Sequence, residues 1–216
     1  MESIKTLKLS PGVIHCNDFH SGLLPVYLSI EESDNELLKN TGTVFSVHNL
    51  AYQGLFEPDF LGKAGLDPQL FQPMSPFEFW GRVNVMKMAL MFSGLINTVS
   101  RSYAEEISES EEYGYGLEGV LKYRGKDLIG ILNGIDPAAW DPASDKLIPH
   151  RYSINDLSGK KMNRDALLKE FGLPSGDQPV IGIVSRLVDQ KGFDILSEAF
   201  EDLMKMNLKF AILGTG

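Results

Sequence analysis

The feature that most constrains the fold is a nearly all-apolar run at residues 180–185, with the sequence VIGIVS. A continuously apolar strand is typical of a parallel sheet that is covered on both faces. A predicted helix at residues 191–206 and a predicted strand at residues 208–213 follow this run. This β-α-β order predicts a parallel sheet with right-handed crossovers.

The same alternation occurs in the first part of the chain. Strands are predicted at residues 13–16, 43–47, 96–99 and 128–132, and helices at residues 21–30, 83–92, 101–108 and 158–171. Prolines and glycines predict irregular structure at residues 56–76 and a connector at residues 133–149. The predicted class is therefore α/β, with one domain over residues 1–149 and a second over residues 150–216. The second has too few strands for a complete doubly wound sheet, so we expect the chain to be a fragment.

Charge and cysteine content exclude several classes of function. The formal net charge is −9 and the pI is about 4.9, whereas nucleic-acid and anionic membrane surfaces favour a basic face. Cys16 is the single cysteine, which excludes an intrachain disulfide and a cysteine-based metal cluster. The most apolar stretch, residues 83–99, is interrupted by polar residues and is not predicted to span a membrane.

Polar residues cluster where predicted strands end, which is where open parallel sheets bind ligands. One cluster is HCNDFH at residues 15–20, and another is His48 with Asn49. A lone histidine at a strand end is more often structural than catalytic, and Asp18 can simply cap the following helix. His15, Asp18 and His20 are metal-ligand types, but their spacing matches no metal motif, so no metal site is predicted.

The third and fourth clusters lie in the second predicted domain, at Ser185–Arg186 and at residues 214–216. Arg186 and Lys191 flank the start of a predicted helix, an arrangement that suits a diphosphate. In this interpretation Asp189 can cap the helix. The alternative is that both cations are surface charges paired with Asp189 or Asp194. Spacing alone leaves both interpretations open.

The sequence GYGLEG at residues 114–119 matches the glycine pattern of dinucleotide-binding proteins. That fingerprint requires a strand immediately before it, but the preceding residues are polar and acidic. A glycine-rich turn that opens a helix is the better interpretation. The methionines of the helix after residue 83 are predicted to pack in the core.

Taken together, these motifs resemble the bacterial glycogen synthases and plant starch synthases. The segments that carry the resemblance occur in the family's order: HCNDFHSGLLPVYL, VHNLAYQGLF, NTVSRSYAEEI, EYGYGLEGVL, ILNGIDPAAWDP and GIVSRLVDQKG. The most specific is VHNLAYQGLF. The resemblance implies a GT-B fold of two Rossmann-like domains, both incomplete in this chain, with the active site in the cleft between them.

The resemblance also implies a reaction, the retaining transfer of glucose from ADP-glucose or UDP-glucose to the non-reducing end of an α-1,4-glucan. It implies catalytic roles for His48, Arg186, Lys191 and Asp18. Arg186 and Lys191 would stabilise the departing diphosphate. Substrate-binding roles are implied for Asn49, His15, Phe19, Tyr52, Gln53 and Gly214. No metal or other cofactor is expected, and the expected location is the bacterial cytoplasm or the plastid stroma.

The chain departs from the family's pattern at two positions and lacks two motifs. Asn17 stands where the family usually has histidine, and Phe19 stands where it usually has tryptophan, which removes the indole donor. The family's Lys-Thr-Gly-Gly loop and its second-domain acidic pair and Thr-Gly-Gly loop do not occur in the sequence, so we expect the 216 residues alone to be inactive. Three alternatives stay open: a non-catalytic sugar-binding module, a related transferase or phosphorylase, and a nicotinamide oxidoreductase.

Overall fold

The computed structural model describes residues 2–216, apart from the side chain of Asp189. The backbone divides into two compact units, one ending at Gly134 and one beginning at Ile135. Residues 133–149, the predicted connector, contain no helix or strand. The predicted domain boundary after residue 149 stays a prediction.

The first unit is built on a parallel sheet with the strand order β1-β2-β5-β6. Its strands are β1 (Val13–Asn17), β2 (Gly42–Val47), β3 (Leu55–Phe56), β4 (Val83–Asn84), β5 (Leu95–Thr98) and β6 (Leu128–Gly130). Its helices are α1 (Glu2–Thr6), α2 (Leu23–Ile30), α3 (Phe60–Lys63), α4 (Val85–Phe92), α5 (Arg101–Glu109), α6 (Glu111–Gly114) and α7 (Glu118–Tyr123). The four sheet strands predicted from the sequence are confirmed.

One face of this sheet carries the main core. Cys16, Phe45 and Ile96 come from three adjacent strands and are at most 1% exposed. They pack with Met86 and Leu90 of α4, which are fully buried. The predicted core packing of the methionines is therefore confirmed for Met86. Full burial of a side chain of this size stabilises the fold by about 1.5–3 kcal/mol.

The opposite face of the sheet is open in the part of the chain that the structure describes. Val13 of β1 is 59% exposed, and Leu95 of β5 is 46% exposed. Because side chains alternate along a strand, His15 and Asn17 lie on the same face as Val13. His15 and Asn17 of the first cluster therefore lie on the open face, near the end of β1.

The helix predicted at residues 83–92 begins two residues later than expected. Val83 and Asn84 instead form β4, which pairs antiparallel with β3. Asn84 then caps α4, because its Oδ1 accepts a hydrogen bond from the Lys87 backbone N–H at 2.9 Å. The apolar pattern of residues 83–92 did not distinguish the cap from the helix that follows it. The predicted irregular segment likewise contains a short helix, α3, and a 3₁₀ turn at Pro68–Leu70.

The second unit contains α8 (Ser158–Glu170), β7 (Val180–Arg186), α9 (Phe193–Met204) and β8 (Lys209–Thr215). β7 and β8 pair in parallel, as predicted. The expectation that both faces of β7 are covered is wrong for the described residues, since Val184 is 83% exposed and Leu213 is 61% exposed. The two helices of this unit leave one side of the strand pair uncovered.

The helix predicted to begin at Lys191 begins instead at Phe193. Gly192 has φ 68°, in the left-handed region, and it separates α9 from a 3₁₀ turn at Asp189–Lys191. A residue with a Cβ avoids this conformation, so glycine is the natural residue here. Lys191 therefore lies in the turn that precedes the helix. The predicted cap by Asp189 lies outside the described residues.

Candidate functional site

The ends of β1 and β2 meet around His48. The Asp18 backbone N–H donates to the Ser46 carbonyl at 2.9 Å and extends the pairing of the two strands by one residue. Asp18 Oδ1 then accepts a hydrogen bond from the His48 backbone N–H at 2.8 Å. The His48 ring atom Nε2 lies 3.0 Å from Asn17 Oδ1. Two consecutive residues of one strand end therefore hold both the backbone and the ring of His48.

The interpretation of Asp18 as a helix cap is wrong. Its carboxylate makes no capping bond to the 3₁₀ turn at Phe19–Ser21 that follows it. Its backbone has φ 51° and ψ 178°, a conformation that residues other than glycine rarely adopt. Strain of this kind costs about 1–3 kcal/mol and concentrates at functional sites. In this conformation the Asp18 carboxylate accepts the hydrogen bond from the His48 backbone N–H.

The Ser21 hydroxyl holds the backbone of Asn17, the residue before Asp18. Ser21 Oγ accepts from the Asn17 backbone N–H at 2.6 Å and donates to the Asn17 carbonyl at 2.8 Å. The turn after β1 thus closes on the residue that contacts the His48 ring. The backbone of Asn17 is therefore held by a group of the same turn.

The backbone after His48 is held by two side-chain acceptors. The Leu50 N–H donates to the Tyr103 hydroxyl at 3.1 Å, and the Ala51 N–H donates to Asn49 Oδ1 at 3.0 Å. Burial raises the pKa of the Tyr103 phenol above its ordinary value. The ring therefore stays neutral at physiological pH. Tyr103 lies in the segment NTVSRSYAEEI, which explains how a distant motif supports the His48 loop.

The end of this loop joins the first turn of α4. The Met86 N–H donates to the Gln53 carbonyl at 2.9 Å, and the Val85 N–H donates to the Gly54 carbonyl at 3.1 Å. These are amides that a helix start leaves without partners inside the helix. The segment from His48 to Gly54 is thus fixed at both ends by main-chain bonds, which accounts for its specific sequence.

Gln53 is buried, and its amide group bonds within the protein. Its Nε2 donates to the Tyr115 carbonyl at 3.1 Å, and its Oε1 accepts from Asn84 Nδ2 at 2.6 Å. Gln53 is 6% exposed. It therefore ties the glycine-rich turn at residues 114–119 to the cap of α4. Its expected contact with substrate stays a prediction.

The glycine-rich turn is preceded by a helix and not by a strand. α6 ends at Gly114, and α7 begins at Glu118. A dinucleotide site of the fingerprint type needs a strand at that position. The nicotinamide alternative therefore loses the only motif that supported it.

A second polar chain crosses the open face of the sheet beside His48. His15 Nε2 lies 2.6 Å from Ser46 Oγ, and the Ser46 hydroxyl donates to Asn97 Oδ1 at 2.5 Å. Because the Ser46 proton is used on Asn97, the oxygen must accept from the His15 ring. Sequence analysis missed Ser46 and Asn97, since neither stands out until the strands are paired. The expected contact of His15 with substrate stays a prediction.

Phe19 and Tyr52 differ in their exposure. Phe19 is half-buried, packs against both hydrophobic clusters of the first unit and stacks on His20 with ring centroids 3.9 Å apart. Its ring leaves no room for a Cβ at Gly54, where the nearest ring carbon would lie 2.4 Å away. Tyr52 is 52% exposed. Stacking of either ring on a substrate stays a prediction.

The predicted anion site lies in the second unit. Arg186 is the last residue of β7, and Lys191 closes the 3₁₀ turn; both are exposed. Neither forms an ion pair with Asp194 or another described side chain. Gly214 pairs with Ser185, and a Cβ at Gly214 would lie 2.6 Å from the Ser185 carbonyl oxygen. Pairing of either cation with Asp189 lies outside the described residues, and the binding of an anion by Arg186 and Lys191 stays a prediction.

Outside Met1 and the Asp189 side chain, no group of three or more histidine, cysteine, aspartate or glutamate side chains is placed to hold a metal ion. Over the same residues, no helix has the length and apolar character needed to cross a membrane.

Comparison with known proteins assigns the family. A model described as the starch synthase catalytic domain matches residues 1–123. The chain belongs to this family. A glycogen synthase of Fervidobacterium nodosum is 44% identical over 216 residues, which is 100% of this chain and 44% of that protein. A glycogen synthase of Thermotoga petrophila is 45% identical over 217 residues, with the same two coverages. The resemblance inferred from the motifs is confirmed.

A solved structure supports the same assignment. The catalytic domain of starch synthase IV from Arabidopsis thaliana, bound to ADP and acarbose, superposes with a TM-score of 0.88 at 36% identity. The match covers 99% of this chain and 44% of that one. The predicted α/β class of the GT-B type is confirmed. The chain spans 44% of the length of the curated relatives described above.

Proposed function

We propose that the whole protein is a glycogen or starch synthase, which transfers glucose from a nucleotide sugar to the non-reducing end of an α-1,4-glucan with retention. The observation that carries this proposal is the fixed His48. It stands at a strand end where polar ligands bind, with its backbone bonded to Asp18 and its ring bonded to Asn17. Membership of the starch synthase family supplies the reaction class.

In this proposal the first unit binds the transferring sugar. His48 contacts hydroxyl groups of the glucose, and Asn49 forms part of the same wall. The Asp18 carboxylate keeps the His48 backbone in place and puts a negative charge close to where positive charge develops on the sugar. Because these bonds come from groups of the protein itself, they orient His48 for the reaction with little reorganisation.

Arg186 and Lys191 of the second unit are proposed to bind the diphosphate of the donor. Negative charge grows on the diphosphate as the glucosyl bond breaks, and fixed cations stabilise that charge more in the transition state than in the ground state. The arginine can offer two parallel donors to phosphate oxygens, whereas the lysine acts as a point charge.

We propose ADP-glucose as the donor in preference to UDP-glucose. The starch synthase neighbour binds ADP and acarbose, a nucleotide and an oligosaccharide analogue. The expected location, bacterial cytoplasm or plastid stroma, stays a prediction. So does the expectation that no metal is needed.

The test is transfer of labelled glucose by the purified whole protein. We expect incorporation into glycogen from ADP-glucose, a slower or absent reaction with UDP-glucose, and unchanged rates with EDTA. Complete release of the label by an α-1,4-specific glucosidase would establish retention. His48→Ala should abolish most of the activity, whereas His150→Ala, at an exposed histidine of the second unit, should have no effect.

The alternatives give different results in the same assay. Glucan binding without transfer would indicate a non-catalytic module. Release of glucose 1-phosphate from glycogen in the presence of phosphate would indicate a phosphorylase. Either result would contradict the proposal.

A further inference from the structure

The His48 ring has one acceptor facing it. Asn17 Oδ1 lies 3.0 Å from His48 Nε2, and a carboxamide oxygen can only accept a hydrogen bond. In this orientation of the Asn17 carboxamide the neutral ring carries its proton on Nε2, whereas the reversed carboxamide would present a donor and place the proton on Nδ1. The other ring nitrogen, Nδ1, has no hydrogen-bond partner among the residues that the structure describes, so it presents a free lone pair.

Asn17 is itself held in place by groups outside the sugar site. Its backbone is bonded on both sides to the Ser21 hydroxyl. Its neighbour Asp18 fixes the His48 backbone N–H. The main chains that carry the carboxamide and the imidazole are therefore both held by groups of the protein.

We propose that Asn17 is a positioning residue that holds the proton of the His48 ring on Nε2, so that Nδ1 accepts a hydrogen bond from a hydroxyl group of the sugar. The second half of this proposal rests on the proposed function. An imidazole with the opposite tautomer would present an N–H at Nδ1 and could only donate there. The identity of residue 17 thus decides what kind of hydrogen bond the site offers.

The chain contains a matched case one strand away. His15 bonds through Nε2 to Ser46, whose hydroxyl proton is used on Asn97. The neutral His15 ring therefore also carries its proton on Nε2, and the group that accepts from it is a hydroxyl. Asn97→Ala frees the Ser46 proton without touching His48, which makes it the control for Asn17→Ala.

The test is a ¹⁵N spectrum of the histidine rings in the whole protein, in which protonated and unprotonated ring nitrogens have different chemical shifts. His48→Gln identifies the His48 signals. We expect protonated Nε2 and unprotonated Nδ1 in the wild type. Asn17→Asp should keep this pattern in spectra recorded at a pH where the ring is neutral, because a carboxylate also only accepts. Asn17→Ala should mix the two tautomers, and Asn97→Ala should alter the His15 signals alone.

The matching kinetic result is a fall in glucose transfer of about three- to tenfold in Asn17→Ala, the size expected for one hydrogen bond. Asn17→Asp should lose less than Asn17→Ala. A wild-type His48 protonated on Nδ1, or an unchanged spectrum in Asn17→Ala, would overturn the assignment of Asn17. The predicted spectra in a protein that transfers no glucose would overturn the role of Nδ1 and the proposed function, while the tautomer assignment would stand.

Discussion

At the scale of single residues, the site depends on contacts between residues far apart in the sequence. Asp18 and His48 are 30 positions apart, and Leu50 and Tyr103 are 53 apart. The sequence showed that polar residues follow the predicted strands, but it could not show which of them touch. The local interpretation of Asp18 as a helix cap failed for this reason, since its partner lies on the next strand.

The strained backbone of Asp18 predicts an unusual order of stability. Asp18→Ala loses the bond to the His48 N–H, which costs about 1.5–3 kcal/mol for a charged acceptor, and it keeps the unfavourable positive φ. Asp18→Gly loses the same bond but relieves that strain, which is about 1–3 kcal/mol. Glycine should therefore be more stable than alanine at this position, the opposite of their usual order.

Denaturant melts of both variants measure this difference in the free energy of unfolding. Asp18→Asn keeps an acceptor and should unfold closest to the wild type while losing activity. Equal stability of the alanine and glycine variants would show that the backbone at residue 18 is not strained.

Arg186 and Lys191 provide the second prediction at this scale. Loss of either side chain should lower kcat for glucose transfer by about 10²–10³, by analogy with the loss of one preorganised donor to a developing charge. The double substitution should cost much less than the sum of the two, because both act on one diphosphate. Steady-state kinetics of Arg186→Ala, Lys191→Ala and the double variant test this.

Lys169→Ala is the matched control, because Lys169 is an exposed cation of the same unit outside the proposed site. If Arg186 and Lys191 were ordinary surface charges, their variants would also keep nearly wild-type kcat, since exposed charges contribute little. That result would remove both residues from the site.

At the scale of elements, the sequence predicted which helices and strands exist better than it predicted where they begin and end. The apolar runs of β2 and β5 are short and bounded by polar residues, so their pattern allowed little freedom. α4 and α9 begin elsewhere than expected because the deciding features were the Asn84 side-chain cap and the left-handed Gly192. A cap and a positive φ leave little trace in hydrophobic periodicity.

Arg124 joins two elements through contacts that the sequence pattern did not predict. Its guanidinium donates to the carbonyls of Leu90, Ser93 and Gly94, at and beyond the end of α4. It also pairs with Asp127 at 3.0 Å. Arg124 thus satisfies carbonyls that the end of a helix leaves without partners, and it joins α4 to the turn before β6.

We therefore expect Arg124→Met to lower the free energy of unfolding by about 3 kcal/mol, since it leaves buried carbonyls unpaired. Lys122→Met is the control, because Lys122 is an exposed cation two positions away and a surface change of this kind usually costs less than about 0.5 kcal/mol. Urea melts of the two variants give the comparison. An equally small effect of Arg124→Met and Lys122→Met would mean that the carbonyls freed by Arg124→Met form hydrogen bonds with water.

At the scale of the whole molecule, the two units differ in how much apolar surface they bury. In the second unit, the buried apolar side chains of the described residues are Leu168 and Ala211. In the first unit, two hydrophobic clusters surround α4 on both sides. Opening free energy within one protein follows local burial. The second unit should therefore open more readily than the first in the 216-residue chain.

Cys16 provides a chemical probe for opening of the first unit. The thiol is 1% exposed in the core of the first unit, and burial raises its pKa above the ordinary value. The thiolate is the reactive form, so the folded unit should react slowly with a thiol reagent. Labelling of Cys16 therefore reports opening of the first unit alone.

Hydrogen exchange of the same 216-residue sample reports both units. We expect the amides of β7 and β8 to exchange at denaturant concentrations where β2 and β5 remain protected, and where Cys16 remains unlabelled. Protection of β2 and labelling of Cys16 should then change together at higher denaturant, because both depend on the core around Phe45. Simultaneous loss of protection in all four strands, with Cys16 labelled in the same transition, would show instead that the two units unfold as one.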